Sequence, residues 1–393
     1  MKLRLILSLA LTSALPLCQA ATLDETAMNI ALRNPAVMSA RAGYEADLAS
    51  ARAENILAGP EVEGEYLFSS EGNDGNRWSV SVGQSFDWPG LYAARRRTNV
   101  FRAEAYSYLY KAELAQAAYD ARLALIRWAA AEAEVKVIHT AHKNMDRMSE
   151  AVDRAFERGD VTILEVHKLR MERFATASRC AEAEAEAESA RAAVKALNGG
   201  VLPELPHDIL ALSRPMPLGH YEAGFKEHNP SLAANSLLAK VAQSEIEVAR
   251  RAALPSFSVA YTHAYEEATH FNGFSVGITL PSWSRKHSVA AAKARATAAQ
   301  LDIEDYRLTT NTALIENYNK AVRLYERLSD AADTFGSDVY PELLMTALKS
   351  GKLDVVTYLT EYNQYLSAAA DYQELCAEFA SAVAYLTRYN IEL

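Results

Sequence analysis

The spacing of apolar and polar positions changes period along this chain. In "SVSVGQSFDWPGLYAARRR", residues 79–97, and the residue before it, Trp78, Val80, Val82, Phe86 and Trp88 fall on one face, while Ser79, Ser81, Gly83, Ser85 and Asp87 fall on the other. Alternation of this kind predicts a strand. After Pro89-Gly90 the tract from Leu91 to Arg158 holds no Gly or Pro and is rich in Ala, Leu, Glu and Arg, which predicts a helix. At about 1.5 Å per residue it would extend roughly 100 Å, so it must project as a rod.

Three further segments alternate in the same way. "EVEGEYLF" (61–68) and "RWSVSVGQSF" (77–86) flank the polar loop "SSEGNDGN"; "SFSVAYTHAY" (256–265) and "GFSVGITL" (273–280) flank "EEATHFN". Phe257, Val259, Tyr261 and Tyr265 share one face, as do Phe274, Val276, Ile278 and Leu280. Two amphipathic hairpins are expected, at about 61–86 and 256–280. Beyond Leu91–Arg158, long helices are predicted over Asp160–Asn198, Ser282–Phe335 and Lys352–Leu393, and short ones over about Leu23–Leu32, Ala36–Ala58 and Ser231–Ala253.

The pattern occurs twice. Asn34-Pro35 recurs as Asn229-Pro230 and Pro60 as Pro255, both 195 residues on, while Gly83 matches Gly277 and Gly159 matches Gly351 at nearly the same offset. Uniform offsets indicate tandem halves of similar structure. The expected organisation is a first repeat over 21–197, a linker over 198–230 carrying Pro203, Pro206, Pro215 and Pro217 in a belt outside the rod, and a second repeat over 231–393. A length of 393 residues alone would suggest two or three domains.

Each long helical pair reverses at a glycine, in "AFERGDVTILEV" and "ALKSGKLDVVTYL". Glycine adopts the left-handed conformation at a helix C-terminus without steric cost. Three residues later Thr162 and Asp354 can cap the next helix, and Thr162 with Glu165 has capping-box spacing. On local sequence alone these are ordinary αα-hairpin turns. Placed at the far end of a rod from the amphipathic strands, they become candidate docking points.

The chain opens with Lys2 and Arg4, an apolar run from Leu5 to Leu17, and Cys18-Gln19-Ala20. This reads as a secretory signal peptide over 1–20, cut after Ala20. A lipid anchor on Cys18 is the rival reading, disfavoured by Pro16 and Leu17 just before it. Removal takes away two basic residues and no acids, moving the formal charge from −10 to −12. An acidic balance argues against nucleic acid as a partner. Cys180 and Cys376 remain, and sequence leaves their pairing open.

No other stretch is apolar for 18 residues, so insertion in a membrane must use barrel strands. Four strands of about 9 residues, each with one face aromatic or branched and the other small or polar, suit a bilayer. They make Trp78, Val80, Val82, Phe86, Phe257, Val259, Tyr261, Phe274, Val276 and Ile278 the expected lipid-facing set. About eight strands are needed to close a barrel, so several copies must combine, and geometry leaves two, three or four open.

These residues together resemble the outer membrane factor family, the TolC-like outer-membrane efflux proteins. The resemblance spans the Asn-Pro helix starts, the paired hairpins, the strand-to-helix junctions at Pro89 and Pro281, the helical pairs and the G-x-x-[TD] tips. It implies a mainly α fold with a small β part, assembled as a homotrimer with a 12-stranded barrel in the outer membrane and a 12-helix periplasmic tunnel. It further implies a periplasmic adaptor, or membrane fusion protein, bound at Arg158, Gly159, Asp160, Val161, Ser350, Gly351, Lys352 and Leu353, and through it an inner-membrane pump. Glu165, Thr357 and Thr360 would line the closed entrance, with no cofactor. The second tip lacks the paired acids that give some members an anionic gate. The junction "LPSWSRKHSVAAAKARA" (280–296) is similar to that of members serving heavy-metal cation exporters.

Two features fit less well. His139 and His142, followed by Met145 and Met148, have soft-metal character but read better as a mixed helix face. "AEAEAEAE" (181–188) reads as a solvated or lumen-facing surface. No G-x-S-x-G, phosphate-loop or H-E-x-x-H motif occurs, which argues against an enzyme. The alternative to an exit channel is a periplasmic coiled-coil scaffold or adaptor whose strands form a small soluble domain.

Overall fold

The computed structural model describes residues 22–68, 76–266, 268–280, 285–335 and 339–390. The signal peptide with Cys18, most of the first hairpin loop, and Pro281 at the second strand-to-helix junction lie outside the described residues. The element order is α1 (Leu23–Arg33), α2 (Pro35–Ala53), β1 (Glu61–Leu67), β2 (Arg77–Phe86), α3 (Pro89–Glu157), α4 (Ile163–Leu197), α5 (Leu218–Glu227), α6 (Pro230–Ala252), β3 (Ser256–Glu266), β4 (Thr269–Thr279), α7 (Arg285–Phe335), α8 (Val339–Lys349) and α9 (Val355–Leu386).

The Asn-Pro pairs act through their chemistry. Asn34 Oδ1 accepts from Ala36 N at 2.9 Å and Asn229 Oδ1 from Leu232 N at 3.1 Å, each followed by proline at the first helical position. Asparagine satisfies an amide that the helix start leaves unpaired, and proline has none to leave unpaired.

Helix α3, 69 residues long, is the spine. It packs on α1, α2, α4, α6 and α9, while α7 packs on α6 and α9. Alanine is the commonest residue at its buried positions, among them Ala105, Ala115, Ala118, Ala121, Ala131 and Ala141, which lets neighbouring helix axes approach closely. The one fully buried charge among the described residues is Arg122, which reaches Thr387 Oγ1 at 3.2 Å and Asp24 Oδ1 at 2.8 Å. Burial lowers the affinity of its guanidinium for the proton and Asp24 partly restores it.

Four strands form one antiparallel sheet in the order β1-β2-β3-β4. The two hairpins join through β2 and β3, from Trp78 opposite Tyr265 to Phe86 opposite Phe257. The sheet stands at the start of α3 and the helical reversal at Gly159 at its end.

Several expected boundaries shift. Strand β4 begins at Thr269 rather than 273, because the reversal is tight, with Glu266 paired to Thr269 and Ala268 at φ +62°. Helix α4 begins at Ile163 rather than Asp160, and α9 spans Val355–Leu386 rather than 352–393, since Thr162 and Asp354 are N-caps. The linker contains α5, whose Tyr221 and Phe225, one turn apart, bury into a cluster with Leu314, Phe379 and Tyr389. Helix α8 precedes the second tip and buries Leu344.

Candidate functional site

The pairing register decides which side chains share a face, because paired residues point the same way. Val82 lies opposite Tyr261, which lies opposite Phe274; Val259 lies opposite Val276, and Phe257 opposite Ile278. All ten expected lipid-facing residues therefore lie on one side of the sheet. That side is open: Phe274 is 82% exposed, Val276 73% and Ile278 61%. Trp88 and Phe257 pack together at its edge next to α3, with ring centroids 6.0 Å apart. At the opposite end Trp78 and Tyr265 stack at 6.0 Å.

Polar members of the same face escaped the sequence reading. His263, His270 and Asn272 stand with the apolar residues, opposite Val80, Tyr265 and His263 respectively. The alternation in "YTHAYEEATHFN" contained them, but a histidine or asparagine in an apolar row leaves no hydropathy signal.

The other face carries Ser79, Ser81, Gly83, Ser85, Ser258, Ala260, Thr262, Gly273, Ser275 and Gly277, with Glu61, Glu63 and Glu65 along β1. Among the described residues both β1 and β4 keep a free edge, an unusual exposure of backbone donors and acceptors.

At the tips, Gly159 (φ +80°) and Gly351 (φ +70°) end α3 and α8 in matching ways. Gly159 N donates to Phe156 O at 2.9 Å and Asp160 N to Ala155 O at 2.9 Å; Gly351 N donates to Leu348 O at 3.0 Å and Lys352 N to Ala347 O at 2.9 Å. These are the paired bonds of a Schellman motif, which needs a left-handed residue at the glycine position. Arg158, Gly159, Asp160, Ser350, Gly351 and Lys352 are exposed. Val161 and Leu353 differ: they are half-buried against a cluster from all four converging helices, including Met148, Val166, Leu344, Tyr358 and Leu359. They anchor the tips from inside. Arg158 Nε pairs with Asp160 at 2.9 Å.

The three expected entrance residues have their polar atoms committed locally. Thr162 N donates to Glu165 Oε2 at 2.7 Å, and Glu165 N donates to Thr162 Oγ1 at 3.3 Å, closing the capping box. Thr357 donates its hydroxyl to Asp354 Oδ2 at 2.7 Å, and Thr360 donates to Val356 O at 3.0 Å. Hydrogen bonds from Thr162 hold Glu165 below the usual carboxylate range, and those from Thr357 do the same for Asp354. Asp354 also opposes ionisation of Glu165, so the two cap carboxylates are neighbours.

The rod is cross-tied near this end: Asn144 Nδ2 donates to Tyr362 OH at 3.1 Å and Asn363 Nδ2 to Glu172 Oε2 at 2.8 Å. His139 lies 2.8 Å from Glu184 and His142 3.7 Å from Asp146, so acids are near both but pair with them separately. No cluster of three or more metal-ligating side chains occurs among the described residues. Within the acidic run, Glu186 pairs with Arg127 and Glu188 with Arg191. Cys180 and Cys376 are both free and buried. No described helix is long and apolar enough to cross a membrane.

The architecture has solved counterparts. The Campylobacter jejuni CmeC outer membrane channel superposes with a TM-score of 0.75 at 16% identity, covering 97% of this chain and 90% of that one. The chain has the fold of an outer membrane channel. The Vibrio cholerae outer membrane protein VceC matches with a TM-score of 0.73 at 14% identity over 94% and 96% of the two chains. The open state of the Neisseria gonorrhoeae MtrE outer membrane channel gives 0.66 at 18% over 94% and 89%. No protein-family model and no curated protein matches the sequence.

Proposed function

We propose that this chain is the outer-membrane exit duct of a tripartite efflux system, a passive conduit from a periplasmic adaptor and inner-membrane pump to the exterior. The observation that carries the reading is the sheet: one exposed apolar face, one face of small and acidic residues, and two unpaired edges, on a chain with the fold of outer membrane channels. Such a sheet is stable in lipid only if its edges are paired, because hydrocarbon offers backbone groups no partners. Three copies supply 12 strands, and that is the assembly we infer. A soluble scaffold would have to cover the apolar face, and no described residue does.

The helices support the same assembly. Leu301, Leu308 and Ile315 recur every seven residues on α7, 58%, 71% and 37% exposed. On α4, Leu164, Met171 and Phe174 form a second exposed stripe. Heptad spacing of exposed apolar residues suits packing against another helix, here one from the next copy. The order of short helix, hairpin, long helix and returning helix occurs in both halves, in keeping with a tandem duplication. On this reading the mature chain begins at Ala21.

We infer that the exposed tip residues meet the adaptor while Val161 and Leu353 hold the tip shape, and that Glu165, Thr357 and Thr360 lie at the entrance. The junction at 280–296 favours heavy-metal cations as cargo, which survival of a deletion strain across a panel of metals and drugs would test. For the channel itself, the test is the purified protein in planar bilayers. Stepwise conductance from a trimer extracted only by detergent supports the reading, and a monomer recovered from the soluble periplasm refutes it.

A further inference from the structure

The apolar face of the sheet is interrupted near the tight β3–β4 turn. Four polar side chains there are connected. Tyr261 OH donates to Asn272 Oδ1 at 2.8 Å, His263 Nδ1 lies 2.8 Å from the same oxygen, and His270 Nδ1 lies 3.3 Å from His263 Nε2. The two imidazoles stack with centroids 5.3 Å apart and planes 24° from parallel, flanked by Trp78 on His263 and Tyr265 on His270.

The tautomers follow from the partners. Asn272 Oδ1 can only accept, so neutral His263 carries its proton on Nδ1 and presents a lone pair at Nε2. Without a metal, His270 Nδ1–H donates to that lone pair; when the His270 proton moves to Nε2, its Nδ1 lone pair becomes available beside that of His263 Nε2. Metal–imidazole bonds are about 2.0–2.1 Å, which puts two nitrogens on one tetrahedral ion about 3.3 Å apart. The observed separation of 3.3 Å is already that of a chelating pair. An oxygen that fixes the far nitrogen of a ligating histidine is the usual support of such sites.

We propose that His263 and His270 form a two-imidazole site for a divalent first-row transition-metal cation of the kind imidazole prefers, copper, nickel or zinc, with Asn272 as the positioning residue. Among the described residues no third histidine, cysteine or acid joins the pair, and water completes the coordination. A bound ion ties β3 to β4 across their turn, from the register position of His263 opposite Asn272 to that of His270 opposite Tyr265. The site rests on one hairpin and does not depend on transport or on the nature of the cargo.

The test uses Cu²⁺ titrated into the full detergent-solubilised protein. The expected result is one ion per chain with imidazole nitrogen couplings in its electron paramagnetic resonance spectrum. Affinity should fall at least tenfold in His263→Ala or His270→Ala, and about 10- to 100-fold in Asn272→Ala, which keeps both ligands. Binding should weaken in acid, because protons compete with the metal for the imidazole nitrogens. On the unaltered protein, Cu²⁺ should protect both histidines from diethyl pyrocarbonate, located by mass spectrometry. Unchanged stoichiometry and spectrum in the double alanine variant, or full modification of both histidines at saturating Cu²⁺, would overturn the proposal.

Discussion

Arg122 Nη2 lies 2.8 Å from Asp24 Oδ1, joining α3 to the first turn of α1 at a point where Arg122 also reaches Thr387 beyond the end of α9. The guanidinium is 1% exposed and the carboxylate 55%. A buried charge stripped of its partner costs more than the pair contributes. Asp24→Asn should therefore destabilise the chain by about 1–3 kcal/mol. Arg122→Met, which refills the space without a charge, should cost less than Arg122→Ala. Denaturant unfolding of the three variants checks the order.

The glycines at the tips are required by conformation rather than space, since a Cβ at either would meet no atom within 4 Å. Gly159→Val or Gly351→Val should cost about 1–2 kcal/mol each through the left-handed φ. On the proposed function they should also weaken cross-linking to the adaptor. Intact export and cross-linking in both variants would remove the tips from the docking surface.

The cap carboxylates give the tips a defined acid response. Glu165 and Asp354 have folded-state pKa values below those of the unfolded chain. Their contribution is thus present above the ordinary carboxylate range of about 4 and is lost as pH falls through the lowered folded values. Protection of the Glu165 and Thr357 amides, relative to the intrinsic exchange rate at each pH, should fall at pH 3 compared with pH 6, while amides in the Leu125 region stay protected. Equal protection at both pH values would contradict the capping account.

Register refines where charge is least tolerated. Val80 shares its row with His263 and Asn272, whereas Val276 shares its row with Val259. Val276→Arg should cost about 2–4 kcal/mol in a bilayer, as for a mid-membrane position, and Val80→Arg less. Assembled trimer on semi-native gels gives the comparison.

Much of this fold is legible in the sequence because its signals are local. Alternation located the strands, Asn-Pro the helix starts, and glycine followed by Thr or Asp the tips. What escaped needs a partner from elsewhere in the chain. Arg122 sits in an ordinary helical tract, and only α1 and α9 bury it. Helix α5 is obscured by two glycines and nearby prolines, and is held by Tyr221 and Phe225 docking on α7 and α9. The histidine pair became visible only once the register placed residues 263 and 270 side by side.

The central claim is that the apolar sheet face meets lipid while the opposite face meets water, within a closed barrel. Nitroxide labels at each position from 273 to 278, with the protein in vesicles, measure this directly through collision with oxygen and with a water-soluble nickel chelate. The account predicts oxygen access at 274, 276 and 278 and chelate access at 273, 275 and 277. Equal access to the chelate at all six positions would contradict it.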